Sequence, residues 1–501
     1  MSTKQATYLI GVDIGTTNTK AIAFDGAGNP LAQANITYSP LPTAAGTHEL
    51  DPETLFDAVV TSIRGVVDAM TTGSLLGISF SSAMHSLLAV DKAGKPLTNL
   101  ITWADLRSSA QAAALRDTAA GQHIYQHTGT PIHPMSPLCK LRWMQEQEPA
   151  LFERAQKFIG IKELVFFRFF NQYLIDYGVA SATGLFDIYA KTWYPEALAY
   201  AGIGVERLST PVSPTAIIRG MDPAMASQLG IDAQTPLVPG GSDGCLAQIG
   251  SGALRTGDLS LTIGTSGAVR MLSQQPRHDP QARIFNYVLT EEWFVSGGPV
   301  NNGGVLLKWY AAQFLERSFT HSEDFDWFLQ RAAQVPAGAE GLIFLPYVQG
   351  ERAPVWDAAA KGVFFGLQAT HGQAHAMRAV VEGINFSLYE VAQSIEETIA
   401  PIDHVYASGG FTKSTAWLQW LTDLFDKPVT VSSTADASAT GAAILGYQAL
   451  GLMDTLAFAG ASPAAATTYY PQETSRIAYL RNYEKYRELY HRLKDLFLPA
   501  P

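Results

Sequence analysis

Two glycine-threonine turns, each directly after an apolar strand, constrain this chain more than any other feature. TYLIGV runs into DIGTT at residues 13–17, DLSL runs into TIGTS at residues 262–266, and β-type residues follow both. An apolar run that turns through Gly-Thr and resumes as strand reads as a buried hairpin, so both halves of the chain are expected to open the same way. Five residues make a short echo, and Gly-Thr turns are common singly. Over 501 residues the echo predicts two related halves, 1–250 and 251–501, with the boundary between residues 245 and 258.

Short β-rich runs alternate with longer helical patterns, which predicts α/β architecture rather than a series of hairpins. KAIAFDGAGNPLAQANI adds two strands joined by a Gly-Asn turn, and DPETLFDAVVTSIRGVVDAM is a helix with Asp51 at its N-cap and Pro52 in first position. PLVPGGSDG closes the first half as a strand ending in glycines, and a helix-like CLAQIGSGAL follows. Near the C-terminus, SRIAYLRNYEKYRELYHRLKDLF is an amphipathic helix expected to pack on the second half.

Charge narrows the partners. Lys and Arg number 34 against 45 Asp and Glu, a net of −11, and the few bases are scattered rather than gathered in a stripe, which argues against nucleic acid. Cys139 and Cys245 make neither a disulfide framework nor a metal knuckle, and the most apolar segment, LVFFRFFNQYLID, is broken by Arg168. No cleavable leader is evident. A cytoplasmic protein without membrane segments, acting on small molecules, is the expectation.

The polar, glycine-rich segments fall at predicted strand ends, where α/β sheets place their ligands. In DIGTTNTK, Gly15 permits a tight turn, the Thr16 and Thr17 hydroxyls with successive N–H groups can surround phosphate oxygens, and Lys20 adds charge. Asp13 repels a phosphate unless a cation such as Mg²⁺ stands between them. Gly264, Thr265 and Ser266 offer a second cradle, and Gly409 and Gly410 in SGGFTKS leave backbone open to a flat ring. Each segment taken alone also reads as an ordinary turn. GGSDG ends a strand with Asp243, which by itself reads as an exposed loop carboxylate.

Taken together, these residues carry a resemblance. The strand and DxGTTxxK hairpin resemble the first phosphate loop of the actin, Hsp70 and sugar-kinase superfamily. MSPLCKLRWMQEQ, residues 135–147, matches the first signature of the FGGY carbohydrate kinases, and DYGVASATGLFDI is similar to a further family segment. GVFFGLQATHGQAHAMRAVVE fits the second signature except at Ala376, where a larger aliphatic is usual. The resemblance covers about residues 8–450. It implies two actin-like (ribonuclease H-like) domains around a central cleft, with ATP held mainly by the second and a sugar or polyol by the first.

By position, the resemblance implies that Thr16, Thr17, Asn18 and Lys20 contact ATP phosphates, that Asp13 meets Mg²⁺ or its waters, and that Gly264 and Thr265 approach from the other side. Gly304, Lys308, Gly409, Gly410 and Ser414 would line the nucleotide pocket, although some relatives carry Gln and Asn at the places of Lys308 and Ser414. Asp243 matches the family's catalytic base, where a carboxylate accepts the proton of a sugar hydroxyl during in-line attack on phosphorus. The substrate side would comprise Met84, His85, Trp103, Asp105, Arg107, Met135 and Asp243.

Met84 and His85 stand where glycerol kinases carry an Arg-Glu pair, and MHSLLAVD, ITWADLRS and TGTPIHPMSPLCKL are most similar to gluconokinases within the family. The implied reaction is ATP-dependent phosphorylation of D-gluconate to 6-phosphogluconate. A carboxylate needs cationic or N–H partners, and His85, Arg107, His133 and Lys140 are candidates, each of which could equally serve structure, as Arg107 would if it pairs with Asp105. Xylulokinase or another pentulose kinase is the near alternative. A nucleotide-regulated binding protein of the superfamily is the distant one. A homodimer is expected by analogy alone. The spacings His123/His127 and His371/His375 lack the Glu of a zinc motif and read as surface or capping residues.

Overall fold

The computed structural model describes residues 7–42, 44, 46–431, 436–458 and 467–497. Two sheets organise it. The first contains β1 (Thr7–Ile14), β2 (Asn18–Phe24), β3 (Pro30–Thr37), β4 (Ser74–Ser82) and β5 (Leu237–Ser242), in the order β5-β4-β1-β2-β3. β1 is central because its apolar run is buried on both faces, which only a covered strand tolerates. One covering element is α1 (Pro52–Ala69), where Asp51 accepts the N–H groups of Glu53 and Thr54 and Pro52 occupies the first turn.

The second sheet contains β6 (Asp258–Ile263), β7 (Gly267–Ser273), β8 (Phe285–Val288), β9 (Phe294–Val300), β10 (His404–Ser408), β11 (Val429–Val431) and β12 (Thr468–Tyr469). Its order is β8-β9-β7-β6-β10-β11-β12. In both sheets the opening hairpin extends through an antiparallel strand on one side and parallel strands on the other. The DIGTT and TIGTS turns close those two hairpins, with Ile14 opposite Thr19 and Ile263 opposite Gly267. The five-residue echo is therefore the visible part of a repeated topology.

Two helices join the halves. α2 (Asp243–Gly250) leaves the end of β5, and α3 (Ala437–Ala449), from late in the chain, returns to pack on β1, β4 and α2. A Cβ built on Gly441 would stand 2.1 Å from the Leu246 carbonyl oxygen, so only glycine permits this helix crossing. α2 begins at Asp243 rather than at Cys245, where the sequence pattern starts its helix. That shift puts Asp243 on the first helical turn.

α4 (Glu473–Leu493) buries Tyr479, Tyr483, Tyr486 and Tyr490 in the core of the second half, as its amphipathic pattern predicts. Among the described residues, no helix is long and apolar enough to cross a membrane.

Candidate active site

A cleft of about 370 Å³ opens where the ends of the two sheets face each other. It gathers Thr16, Met84, His85, Trp103, Asp243, Gly264 and Thr265 from the sequence-based set, and adds Arg270, Tyr287 and Arg352. A larger cavity of about 490 Å³, between Arg116, Trp356 and α4, contains none of the predicted residues. Size alone does not mark the site; the convergence of carboxylate, phosphate-type turns and buried cations does.

Asp243 sits where β5 turns into α2, and its Oδ1 accepts the Gly244 N–H at 2.7 Å. The strand end beneath it is buttressed by Lys162, whose Nζ donates to the carbonyls of Pro239 and Gly241 at 2.9 Å and pairs with Asp176 at 2.5 Å. Both members of that pair are buried, and their mutual neutralisation is what makes the burial tolerable. Burial raises the Asp243 carboxyl above the usual carboxylate range, opposed first by Arg270 and then by the Gly244 N–H, Arg352 and Lys162. The balance yields a carboxylate that is basic for its type.

On the phosphate side, Asp13 is the penultimate residue of β1, half-buried, and accepts the Ser81 hydroxyl at 2.7 Å. Burial and then the nearby Asp243 charge push Asp13 up to about 6, with Asp436 adding in the same direction. The Asp436 carboxylate is itself paired with the Lys20 ammonium, which therefore does not stand free. A raised Asp13 carboxyl with the Asp243 charge nearby fits a divalent cation standing between Asp13 and a phosphate. Among the described residues no group of three His, Cys, Asp or Glu gathers to hold one, so a cation on Asp13 would complete its shell from nucleotide oxygens and water.

Thr17 is exposed, and the Asn18 amide donates to Asn35 at 2.6 Å. Gly264 and Gly409 follow the neighbouring parallel strands β6 and β10, and the Gly304 N–H donates to the Gly264 carbonyl at 2.8 Å. Gly410 is exposed with open space over it, while Ser414 caps the helix Thr415–Phe425. Lys308 is also exposed, with its Nζ 5.7 Å from the centre of the Phe325 ring. These glycines form a shelf of bare backbone beside the Thr265 turn.

The sugar side departs from expectation in its cations. His85 is buried, its Nδ1 lies 2.6 Å from the Ala182 carbonyl and its Nε2 is 3.4 Å from the Tyr287 hydroxyl. Burial, then Lys140, hold it at about 3, so the ring is neutral, with Nδ1 donating and Nε2 left as an acceptor. It suits a hydroxyl, not a carboxylate. His133 is likewise buried and pushed well below its usual range by burial and Arg352.

Lys140 is fully buried and donates to the carbonyls of His85, Thr102 and Met135 at 2.6, 2.8 and 2.8 Å. Its role is to tie together three segments of the sugar wall. Arg107 pairs with Glu49 and Asp105 in a groove away from the cleft, and the Asp105 carboxylate is consumed by Arg107 and the His48 N–H. Met135 lies wholly inside the core of the second half. Asp105, Arg107 and Met135 therefore support the sugar side from behind rather than line it. Trp103 does line it, with the Arg352 guanidinium 4.5 Å over its ring.

Two family descriptions match this chain: the FGGY family of carbohydrate kinases, N-terminal domain, over residues 8–250, and its C-terminal domain over residues 259–450. The chain belongs to the FGGY family of carbohydrate kinases. A protein named gluconokinase from Bacillus licheniformis is 40% identical over 478 residues, covering 94% of this chain and 93% of its own length. The crystal structure of a gluconate kinase from Lactobacillus acidophilus superposes with a TM-score of 0.91 at 37% identity, covering 97% of this chain and 98% of its own. A ligand-bound xylulose kinase from the same organism also reaches 0.91, at 36% identity and the same coverage. The two-domain FGGY fold is thus common to kinases named for different sugars, and the fold does not choose the acceptor.

The family resemblance pointed to both polar turns and to Asp243, but not to the cations that face it. Arg270 was open to detection as a charge inside the apolar strand GAVRMLS, and Arg352 lies in the loop between the strands Ile343–Leu345 and Val363–Phe365, outside any strand end. Nothing local to FNYV singles out Tyr287. The HxxxH residues have structural partners: His127 Nδ1 lies 2.9 Å from Asp187 and its ring stacks on Tyr194, while His371 and His375 each accept a backbone N–H at Nδ1.

Proposed function

We propose that this carbohydrate kinase is ATP- and Mg²⁺-dependent and phosphorylates the terminal hydroxyl of D-gluconate, giving 6-phospho-D-gluconate. The observation that carries the reading is the placement of a raised, half-buried Asp243 in one cleft with two phosphate-type turns, a neutral His85 and two guanidiniums. Bound Mg²⁺-ATP supplies the phosphoryl group and the cation that neutralises charge on it. Backbone N–H groups and hydroxyls at Thr16, Thr17, Gly264 and Thr265 hold the phosphates, with Asp13 on the cation and its waters. Asp243 orients the acceptor hydroxyl and takes its proton. His85 Nε2 accepts from a second sugar hydroxyl, and the Trp103 face packs on the carbon chain. Gly304, Gly409 and Gly410 leave the backbone bare for the nucleotide.

The similarity to proteins named gluconokinase and gluconate kinase supports the acceptor, as does the presence of guanidinium charge on the sugar side. A xylulose kinase reading is kept second because a structure so named superposes equally well. The deciding test is ADP release by the purified protein with Mg²⁺-ATP across gluconate, xylulose, ribulose and glycerol. Strongest stimulation by gluconate is expected. Stimulation by none removes the proposed reaction, and a preference for xylulose replaces the acceptor.

A further inference from the structure

β7 carries a guanidinium inside an otherwise apolar run, with Arg270 between the fully buried Val269 and Met271. The side chain reaches the cleft, yet its Nε is buried without a hydrogen-bond partner. Arg352 differs: its Nε donates to the Asn301 side chain at 2.7 Å, and its guanidinium stacks on Trp103. A buried donor without an acceptor is costly, and beside a polar cleft its acceptor can be supplied by water or by a ligand.

The Arg270 guanidinium packs closely against Gly244. A Cβ built on Gly244 would lie 2.9 Å from the Met84 methyl and 3.2 and 3.3 Å from Arg270 Nε and Nη2. Glycine directly after Asp243 is thus what lets Met84 and the guanidinium meet over the start of α2. Arg270 also lies four residues beyond Ser266, roughly 13 Å along the strand from that turn at about 3.3 Å per residue. Its guanidinium lies beside Met84 and Gly244.

We propose that Arg270 receives the carboxylate of the sugar acid and makes the cleft selective for an anionic acceptor over a neutral sugar. This rests on the gluconate reading. The shared chemistry is an oxyanion on a two-pronged donor, and the transferring phosphoryl group is the competing source.

Calorimetric titration separates them, with gluconate and a non-hydrolysable Mg²⁺-ATP analogue as probes on the wild type, Arg270→Met and Arg270→Lys. The Kd for gluconate is expected to rise roughly 10- to 100-fold in Arg270→Met, the range for a lost charge-assisted hydrogen bond. Arg270→Lys, which keeps the charge and the fold but not the fork, is expected to fall between. The nucleotide Kd should stay within about twofold, because only the acceptor's oxyanion is lost. An unchanged gluconate Kd in both variants overturns the proposal, as does weakening of the nucleotide instead of gluconate. Failure of the wild type to bind gluconate overturns the acceptor reading itself, before any variant is made.

Discussion

Asp13→Asn is expected to make the unliganded protein more stable while removing its activity. Burial and the charge of Asp243 lift the Asp13 carboxyl from 3.8 to about 6. A displacement of that size corresponds to about 3 kcal/mol between its two protonation states. Because the folded value lies above the unfolded one, the folded state binds the extra proton between these two pH values. Stability contributed by Asp13 therefore falls as pH rises through this window, and the full cost of the ionised carboxylate is present above about pH 6. Asn keeps an acceptor for the Ser81 hydroxyl and carries no charge. After allowing for partial solvent screening, the gain at pH 8 is about 1 to 3 kcal/mol, or about 1 to 3 °C in Tm for a chain of 501 residues. Melting curves of the wild type and Asp13→Asn at pH 8 and pH 4 provide the assay. The gain should shrink toward zero at pH 4, where the wild-type carboxyl is protonated. Destabilisation at pH 8, or a gain independent of pH, would refute the electrostatic reasoning.

Asp243→Asn is expected to lower kcat by about 10² to 10⁴ while leaving nucleotide affinity nearly intact, since general-base removal acts on the chemical step. In the wild type, kcat/KM should fall with decreasing pH through an apparent value above that of a solvated carboxylate, because activity needs the ionised form of a group raised by burial. Asp13 and Asp243 interact, so this limb belongs to the pair. Lys140→Met leaves three buried carbonyls without their donor and should cost about 3 to 5 kcal/mol, measured by denaturant titration, with a raised KM for the sugar in whatever folds.

Much of the architecture was legible because strands and turns leave local patterns. The apolar TYLIGV and DLSL runs, the two Gly-Thr turns and the Asp51-Pro52 helix start all encode their geometry within a few residues. Cation roles were less accessible, since they depend on which carbonyl or carboxylate a long side chain meets across the fold. Lys140 finds carbonyls from three separate segments, and Arg107 finds Glu49 from a distant strand. His85 shows the same limit in another form: its charge is decided by burial and by Lys140, neither of which MHSLL displays. Arg270 left a local trace, one charge in an apolar strand, whose meaning emerged only when Gly244 and Met84 were seen beside it.

The central claim is that Asp243 activates the terminal hydroxyl of gluconate for phosphoryl transfer, and the bond formed can be observed directly. Proton-coupled ³¹P NMR of the reaction with Mg²⁺-ATP and gluconate should show a new phosphate ester split into a triplet by one methylene group. Asp243→Asn should form it at least about 10²-fold more slowly. A doublet, which reports a secondary carbon, or inorganic phosphate as the sole product would contradict the claim.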